Sequence, residues 1–312
     1  MLGRAEALAR FGWLAEVRWR DVAEQFPVRL PRGYLAGANV ASDPRLLTAL
    51  PADAELDFHP GDIPDPVGEQ ARSPLPWVVQ KHRDRVLLLL TKRCHVYCRF
   101  CFRRDHEPGA GEDPSADEWA AMLDYAKHSG AEEVILSGGD PLAIPDARLF
   151  AAMDGLRPEI PIVRVHTRAP ITFPSRITPR LVAGLRERAP VWLFVHVNHP
   201  SELTVEVDAA LARLVDAGIP VLNQTVLLRG INNDVDTLVA LSRALVARRV
   251  FPYYLHHPDA VPGNAHFRVS IAEGQALYTS LRGRVSGLAL PTYVIDPPDG
   301  SGKHPVPLLS PG

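Results

Sequence analysis

Six short apolar segments, separated by stretches of helical spacing, constrain the fold of this 312-residue chain more than any other feature. Val86–Leu90, Glu133–Leu136, Ile162–His166, Val191–Val197, Val221–Leu228 and Phe251–Leu255 are of strand length and carry few polar groups. Helices between them are signalled locally. Ser115, with Glu118 following it, has the form of a capping box, and Trp119, Met122, Leu123 and Ala126 recur at helical spacing. Further helices are predicted over Ala147–Gly155, after Thr178–Pro179, from Leu203 to Ala217 ahead of Gly218, and over Asp234–Arg248. Strands this apolar, separated by helices, imply a parallel sheet buried on both faces. Six such units suit a doubly wound sheet or an open barrel of the TIM type. In both, chemistry gathers at the C-terminal ends of the strands.

Every cysteine of the chain lies in one stretch directly after the first of these strands, TKRCHVYCRFCFRRD, Thr91 to Asp105. Cys94, Cys98 and Cys101 form a C-x3-C-x2-C array at the expected mouth of the sheet. Three clustered thiols do not make a disulfide scaffold, which needs an even, dispersed set. Three readings remain. A zinc site would need a fourth ligand from His95 or His106, and His95 adjoins a thiol and is poorly placed to converge. The cysteines could be unconnected buried residues. Or they could hold a [4Fe–4S] cluster by three thiolates, leaving one iron open for a ligand.

Net charge is −2, too small to direct a field at nucleic acid or lipid, and no apolar run reaches membrane-span length. The amphipathic N-terminus lacks the uninterrupted apolar core of a signal peptide, so a cytoplasmic protein is expected. Thirty prolines concentrate in Leu50–Trp77 and Pro291–Pro311, where Leu75, Trp77 and Val294 interleave with them. These stretches read as extended segments wrapping a body. They place a helical and irregular wrap at residues 1–79, a barrel at 80–257 and a closing segment at 258–312.

The thiol array after the first strand of this pattern resembles the radical S-adenosylmethionine superfamily. SGGDPL at Ser137–Leu142 is similar to that superfamily's turn for the methionyl amino group, which makes Ser137, Gly138, Gly139 and Asp140 expected cofactor contacts. With CRFCFRR, HTRAPI, NQTVLLRGIN, PYYLHHPDAV and AHFRVS, the chain from about Asp65 to Pro307 resembles the lysine 2,3-aminomutase family. The resemblance implies a partial (βα)6 TIM-like barrel, with Cys94, Cys98 and Cys101 holding a [4Fe–4S] cluster whose open iron binds S-adenosylmethionine. It also implies pyridoxal 5′-phosphate on a lysine, here Lys303 in VIDPPDGSGKHPV. The family run there is nearly all glycine, and Pro298, Asp299 and Ser301 depart from it. Lys81 and Arg85 map to the cofactor phosphate and Arg103 to the substrate carboxylate. Asp259 and Asp296 map to the far amino group of lysine, while Arg99 and Arg104 read as structural or surface residues.

The reaction implied is the interconversion of L-α-lysine and β-lysine by a 5′-deoxyadenosyl radical, with an electron donor such as flavodoxin or ferredoxin. The β-lysine could serve elongation factor P modification. A 2,3-aminomutase for arginine is compatible with two carboxylates; one for glutamate is disfavoured by them. A non-catalytic Fe–S or zinc protein is the rival from another class, and an oligomer is compatible with all of these.

Overall fold

The structure is a computed structural model that describes residues 1, 3–38, 40–104 and 109–308. His106, one of the two candidate zinc ligands, lies outside the described residues. The sheet has nine strands in sequence order: β1 (Val78–Val79), β2 (Arg85–Leu89), β3 (Glu133–Ser137), β4 (Ile162–His166), β5 (Val191–Val195), β6 (Val221–Val226), β7 (Val250–His256), β8 (Thr292–Ile295) and β9 (His304–Pro305). Neighbours from β2 to β8 pair in parallel, while β1 and β9 add antiparallel edges. The sheet is curved but not closed, a partial TIM-like barrel.

The helical signals act as expected. Ser115 Oγ accepts from Glu118 N at 3.2 Å, and Glu118 Oε2 accepts from Ser115 N at 2.8 Å, opening the helix Ala116–His128. Thr178 and Asp234 cap the helices Pro179–Glu187 and Val235–Ala247. The segment predicted helical from Leu203 starts at Val205, because Thr204 is the N-cap and Pro200–Glu202 form a separate tight turn. Leucine and valine from these helices pack with the inner strands in one continuous core that also takes in Leu14, Trp19, Leu30, Tyr34 and Leu35 of the N-terminal wrap.

Three strands fall outside the six apolar segments, the short edge strand β1 and, at the other end of the sheet, β8 and β9. Thr292–Ile295 adds a seventh parallel strand, pairing Tyr254 with Thr292 and His256 with Val294. It is short and bounded by prolines, so it carries no periodicity of its own. His304–Pro305 folds back on it, pairing His304 with Ile295. That antiparallel register carries Lys303 to the level of Asp296.

The gap between the two edges is filled by backbone. Gly68 (φ +66°) lies where a Cβ would come within 2.4 Å of Pro298 O, and Gly302 (φ +90°) where one would come within 2.6 Å of His82 Nε2. Among the described residues no helix is long and apolar enough to cross a membrane.

Gly274 sits in the helix Ile271–Arg282 against buried Tyr293, and a Cβ there would lie 1.9 Å from the Tyr293 hydroxyl. Gly274→Ala should therefore destabilise the chain by about 1–3 kcal/mol through overpacking, despite alanine's better helix propensity. A urea midpoint that falls at constant m-value would show it; an unchanged or raised midpoint would contradict it.

Candidate active site

The thiol loop leaves β2 at Leu90 and has no regular structure of its own, so its shape is imposed from outside. Arg99 and Arg104, both buried, share the Glu55 carboxylate: Arg99 Nε donates to Oε1 at 2.9 Å and Arg104 Nη2 to Oε2 at 3.1 Å. Arg99 also donates to Pro27 O at 3.0 Å, and Arg104 to Pro262 O at 2.9 Å. Arg104 lies 3.9 Å from the Phe26 ring centroid. These two arginines are structural, and they tie the loop to the N-terminal wrap.

The SGGDPL turn braces the loop from the other side. A Cβ on Gly139 would meet the carbonyl oxygens of Lys92 and Arg93 at 2.4 Å, and Gly138 has φ +127° against Thr91. Gly139 N donates to Thr91 O at 2.6 Å and Asp140 N to Arg93 O at 2.8 Å. The glycines thus admit the close approach of the thiol loop's own backbone. The Asp140 carboxylate is saturated by the fold itself, accepting from Leu142 N (2.9 Å), Thr167 Oγ1 (2.6 Å) and Arg168 N (2.9 Å). Its side chain is a brace between β3 and β4. Ser137 Oγ accepts from Arg103.

Cys94, Cys98 and Cys101 are half-buried, reduced and close enough to influence one another's ionisation. Burial first, then neighbouring negative charge, raises the Cys94 thiol well above its ordinary value and raises Cys101 as well. Thiols so held ionise when a metal takes the proton's place. Among the described residues no three His, Cys, Asp or Glu side chains converge on one ion, and His95 lies against Phe173 with ring centroids 5.0 Å apart. A cubane spreads its thiolates over three irons, so this donor set fits a cluster better than a single zinc.

Lys81, Lys303, Asp259 and Asp296 gather at the C-terminal ends of β7 and β8, while Arg103 is held at Glu69 and Ser137 and Arg85 stands apart. Asp296 Oδ1 pairs with Lys81 Nζ at 3.2 Å and Oδ2 with Lys303 Nζ at 3.1 Å. Lys81 also donates to Val67 O. Asp259 feels Asp296, Lys303, Lys81 and Glu69. Burial, reinforced by the Asp296 charge and opposed by the two lysines, pushes its carboxyl up to about 7. Arg103 is held by Glu69, with Nε and Nη2 each 2.7 Å from a carboxylate oxygen, and its Nη1 donates to Ser137 Oγ at 3.2 Å. Burial works against the Arg103 charge, but Glu69, Cys101 and Asp296 more than offset it. Arg85 stands at the exposed start of β2, paired with Asp84 at 3.0 Å.

Sequence reasoning missed Glu69, Glu55 and the lumen histidines. Glu69 and Glu55 sit in irregular segments that carry no periodicity. His166 and His256 are pushed well below the ordinary imidazole value by burial, and His196 to about 3, so all three are neutral. His256 Nε2 is buried without a partner, and Lys303 acts on this ring electrostatically. The loop bearing Lys303 keeps glycine at 300 and 302, where φ is +75° and +90°; the family-departing positions 298, 299 and 301 do not need that conformation. An orphaned imidazole beside a lysine on this loop fits a pyridoxal group.

A curved parallel sheet with three thiols after its first parallel strand defines a class, and the Radical SAM superfamily model matches residues 88–241. The SuiB structure from Streptococcus suis, bound to S-adenosylmethionine, superposes with a TM-score of 0.51 at 15% identity, over 67% of this chain and 49% of that one. That likeness concerns the fold alone. The L-lysine 2,3-aminomutase of Fusobacterium nucleatum is 41% identical over 83% of this chain and 61% of its own length. The glutamate 2,3-aminomutase of Clostridioides difficile is 36% identical over 92% of this chain and 69% of its own length. The chain belongs to the lysine 2,3-aminomutase family of radical S-adenosylmethionine enzymes. It spans about three fifths of the length of the Fusobacterium relative.

The buried triad has a testable consequence. Glu55→Gln leaves two buried guanidinium groups without their counter-charge, which should cost about 3–5 kcal/mol. Chemical denaturation measures it; a loss below about 1 kcal/mol would mean that the triad does not hold the loop.

Proposed function

We propose that this chain is a cytoplasmic radical aminomutase that interconverts L-α-lysine and β-lysine. The observation that carries the reading is the charge layout of the mouth, with Arg103 in one part and Asp259 and Asp296 in another. When bound, S-adenosylmethionine on a reduced [4Fe–4S] cluster supplies a 5′-deoxyadenosyl radical, and pyridoxal phosphate supplies the conjugated system through which the amino group migrates. Cys94, Cys98 and Cys101 would hold the cluster, and Lys303 would hold the pyridoxal group. A one-electron donor of the flavodoxin or ferredoxin kind would reduce the cluster.

The chain's own residues bind and orient. The Gly139 and Asp140 amides are used on the thiol loop, which leaves carbonyl oxygens of the turn as acceptors for the methionyl ammonium. Glu69 fixes the Arg103 fork in plane through two short bonds. The remaining Nη1 edge, now on Ser137 by a longer bond, is the one a substrate carboxylate takes at least cost. A Lys303 amine committed to a cofactor no longer neutralises Asp296, which frees that carboxylate for the substrate's far ammonium. Lys81 stays at the same carboxylate and serves the cofactor phosphate from there. Arg85 can reach that phosphate only by releasing Asp84.

The two carboxylates favour a cationic side chain. A neutral one would leave Asp259 without a cation and Asp296 with Lys81 alone, and an anionic one would add charge repulsion at several kcal/mol. Lysine should therefore turn over at least about a thousandfold faster than glutamate, measured as kcat/KM. Faster turnover of glutamate would overturn the substrate assignment, and of arginine would replace it.

Asp259 adds a pH dependence. Its folded-state value of about 7 means that the carboxyl is largely protonated, and a poor partner for an ammonium, below that pH. For lysine, kcat/KM should fall about tenfold per pH unit on the acid side of 7, and Asp259→Asn should remove that limb while lowering the plateau. An acid limb that persists in the variant belongs to another group.

Borohydride should fix pyridoxal phosphate to Lys303, located by peptide mapping, and Lys303→Ala should lose the adduct while keeping its iron. A label on Lys81 or Lys92 would refute the assignment.

A further inference from the structure

Arg168 has no part in the roles above, yet among the described residues its guanidinium is hydrogen-bonded directly to a thiol. It follows β4 and is buried, at 8% exposure. Its Nη1 donates to Cys98 Sγ at 2.9 Å. Every other edge of the guanidinium is also held: Nη2 donates to Glu202 Oε2 at 2.6 Å and to the Tyr34 hydroxyl at 3.1 Å, and Nε donates to His196 O at 3.2 Å. Phe100 covers one side, with its centroid 5.2 Å from the guanidinium carbon.

Glu202 cannot swing away from this contact. Its Oε1 accepts from Asn198 N at 2.9 Å and His199 N at 3.1 Å, so backbone fixes the carboxylate and the carboxylate fixes Arg168. The result is a rigid line of carboxylate, guanidinium and sulfur in a dry setting. Cys98 is the middle thiol of the array.

A charged donor on a ligand sulfur stabilises whichever form of the centre carries more negative charge there. Reduction of a cluster adds one electron, delocalised over iron and sulfur, so the reduced form gains more from this bond than the oxidised form. We propose that Arg168 is a positioning residue that raises the reduction potential of the cluster through its hydrogen bond to Cys98 Sγ, and that Glu202 limits the effect by partly neutralising the same guanidinium. The inference rests on the cluster reading above.

The two members of the line have opposite signs, which supplies the test. The full chain, reconstituted anaerobically with iron and sulfide, would be titrated by reductive potentiometry, following the visible absorbance and the paramagnetic signal of the reduced cluster. Arg168→Met should make reduction at least about tenfold less favourable, a shift of about −59 mV for a one-electron couple. Glu202→Gln should shift the potential positively, because the guanidinium loses its counter-charge. Neither shift should require loss of iron, so iron content is measured alongside.

Potentials unchanged in both variants would overturn the proposal, as would shifts of the same sign, which indicate general loosening of the thiol loop. If Arg168→Met fails to retain a cluster, the sign of the Glu202→Gln shift decides alone. Failure of the parent chain to take up about four irons would sink the cluster reading itself and is thus distinguishable.

Discussion

The Glu55 carboxylate, shared by two buried guanidinium groups, is the interaction on which the candidate site depends. The thiol loop contains no helix or strand, so no backbone ladder fixes where its sulfurs point. Arg99 and Arg104 supply that constraint from within the array, flanking Cys101 in sequence and converging on one acid of the wrap. The arrangement is costly to desolvate, and most of the remaining donors are satisfied by backbone carbonyls at Pro27, Pro262 and Arg99, while Arg104 Nε is buried without a partner. A buried pair of this kind is a poor source of stability but fixes geometry, which an irregular loop carrying three thiols requires.

The same economy of charge runs through the mouth. Arg103 is neutralised by Glu69, and Asp296 by Lys81 and Lys303. Each internal pair has the chemistry of a pair that an amino acid would form, carboxylate on guanidinium and ammonium on carboxylate. Asp259 is raised first by burial and then by the Asp296 charge, and Lys303 and Lys81 only partly oppose this. The mouth therefore carries a carboxyl poised to lose its proton when a cation arrives.

The sheet was legible because its strands are apolar on both faces, which leaves a run rather than an alternation, and because Ser115, Thr178 and Asp234 announce their helices. β8 was not, since Pro291 and Pro297 frame only a few residues whose strand character comes from pairing with β7. The thiols, Lys303, Asp259 and Asp296 were legible through motif resemblance, and registry explains how the fold gathers the last three. Glu69, Glu55 and Glu202 were illegible for a common reason. An acid in an irregular segment looks like a solvated turn until its distant arginine is known, and each of these arginines is at least 34 positions away. Asp140 shows a second role for a motif residue, with a carboxylate that braces the fold.

An open sheet leaves a seam between its first and last strands, and this chain puts its chemistry there. Lys81 follows β1 and Asp296 lies between β8 and β9, so their ion pair joins the two ends of the sheet, which share no backbone hydrogen bonds in the strand ladder. Gly68 against the Pro298 carbonyl and Gly302 against the His82 ring bring the two flanking loops into close contact at the same place. A closed barrel would have no such join, and a loose one would admit water to the proposed radical. Placing the lysine that would carry the cofactor in the second loop means that loading the site and sealing the seam draw on the same residues. The partial barrel is thus suited to a reaction that must admit a polar substrate and then exclude solvent, because its weakest edge is also its most highly charged.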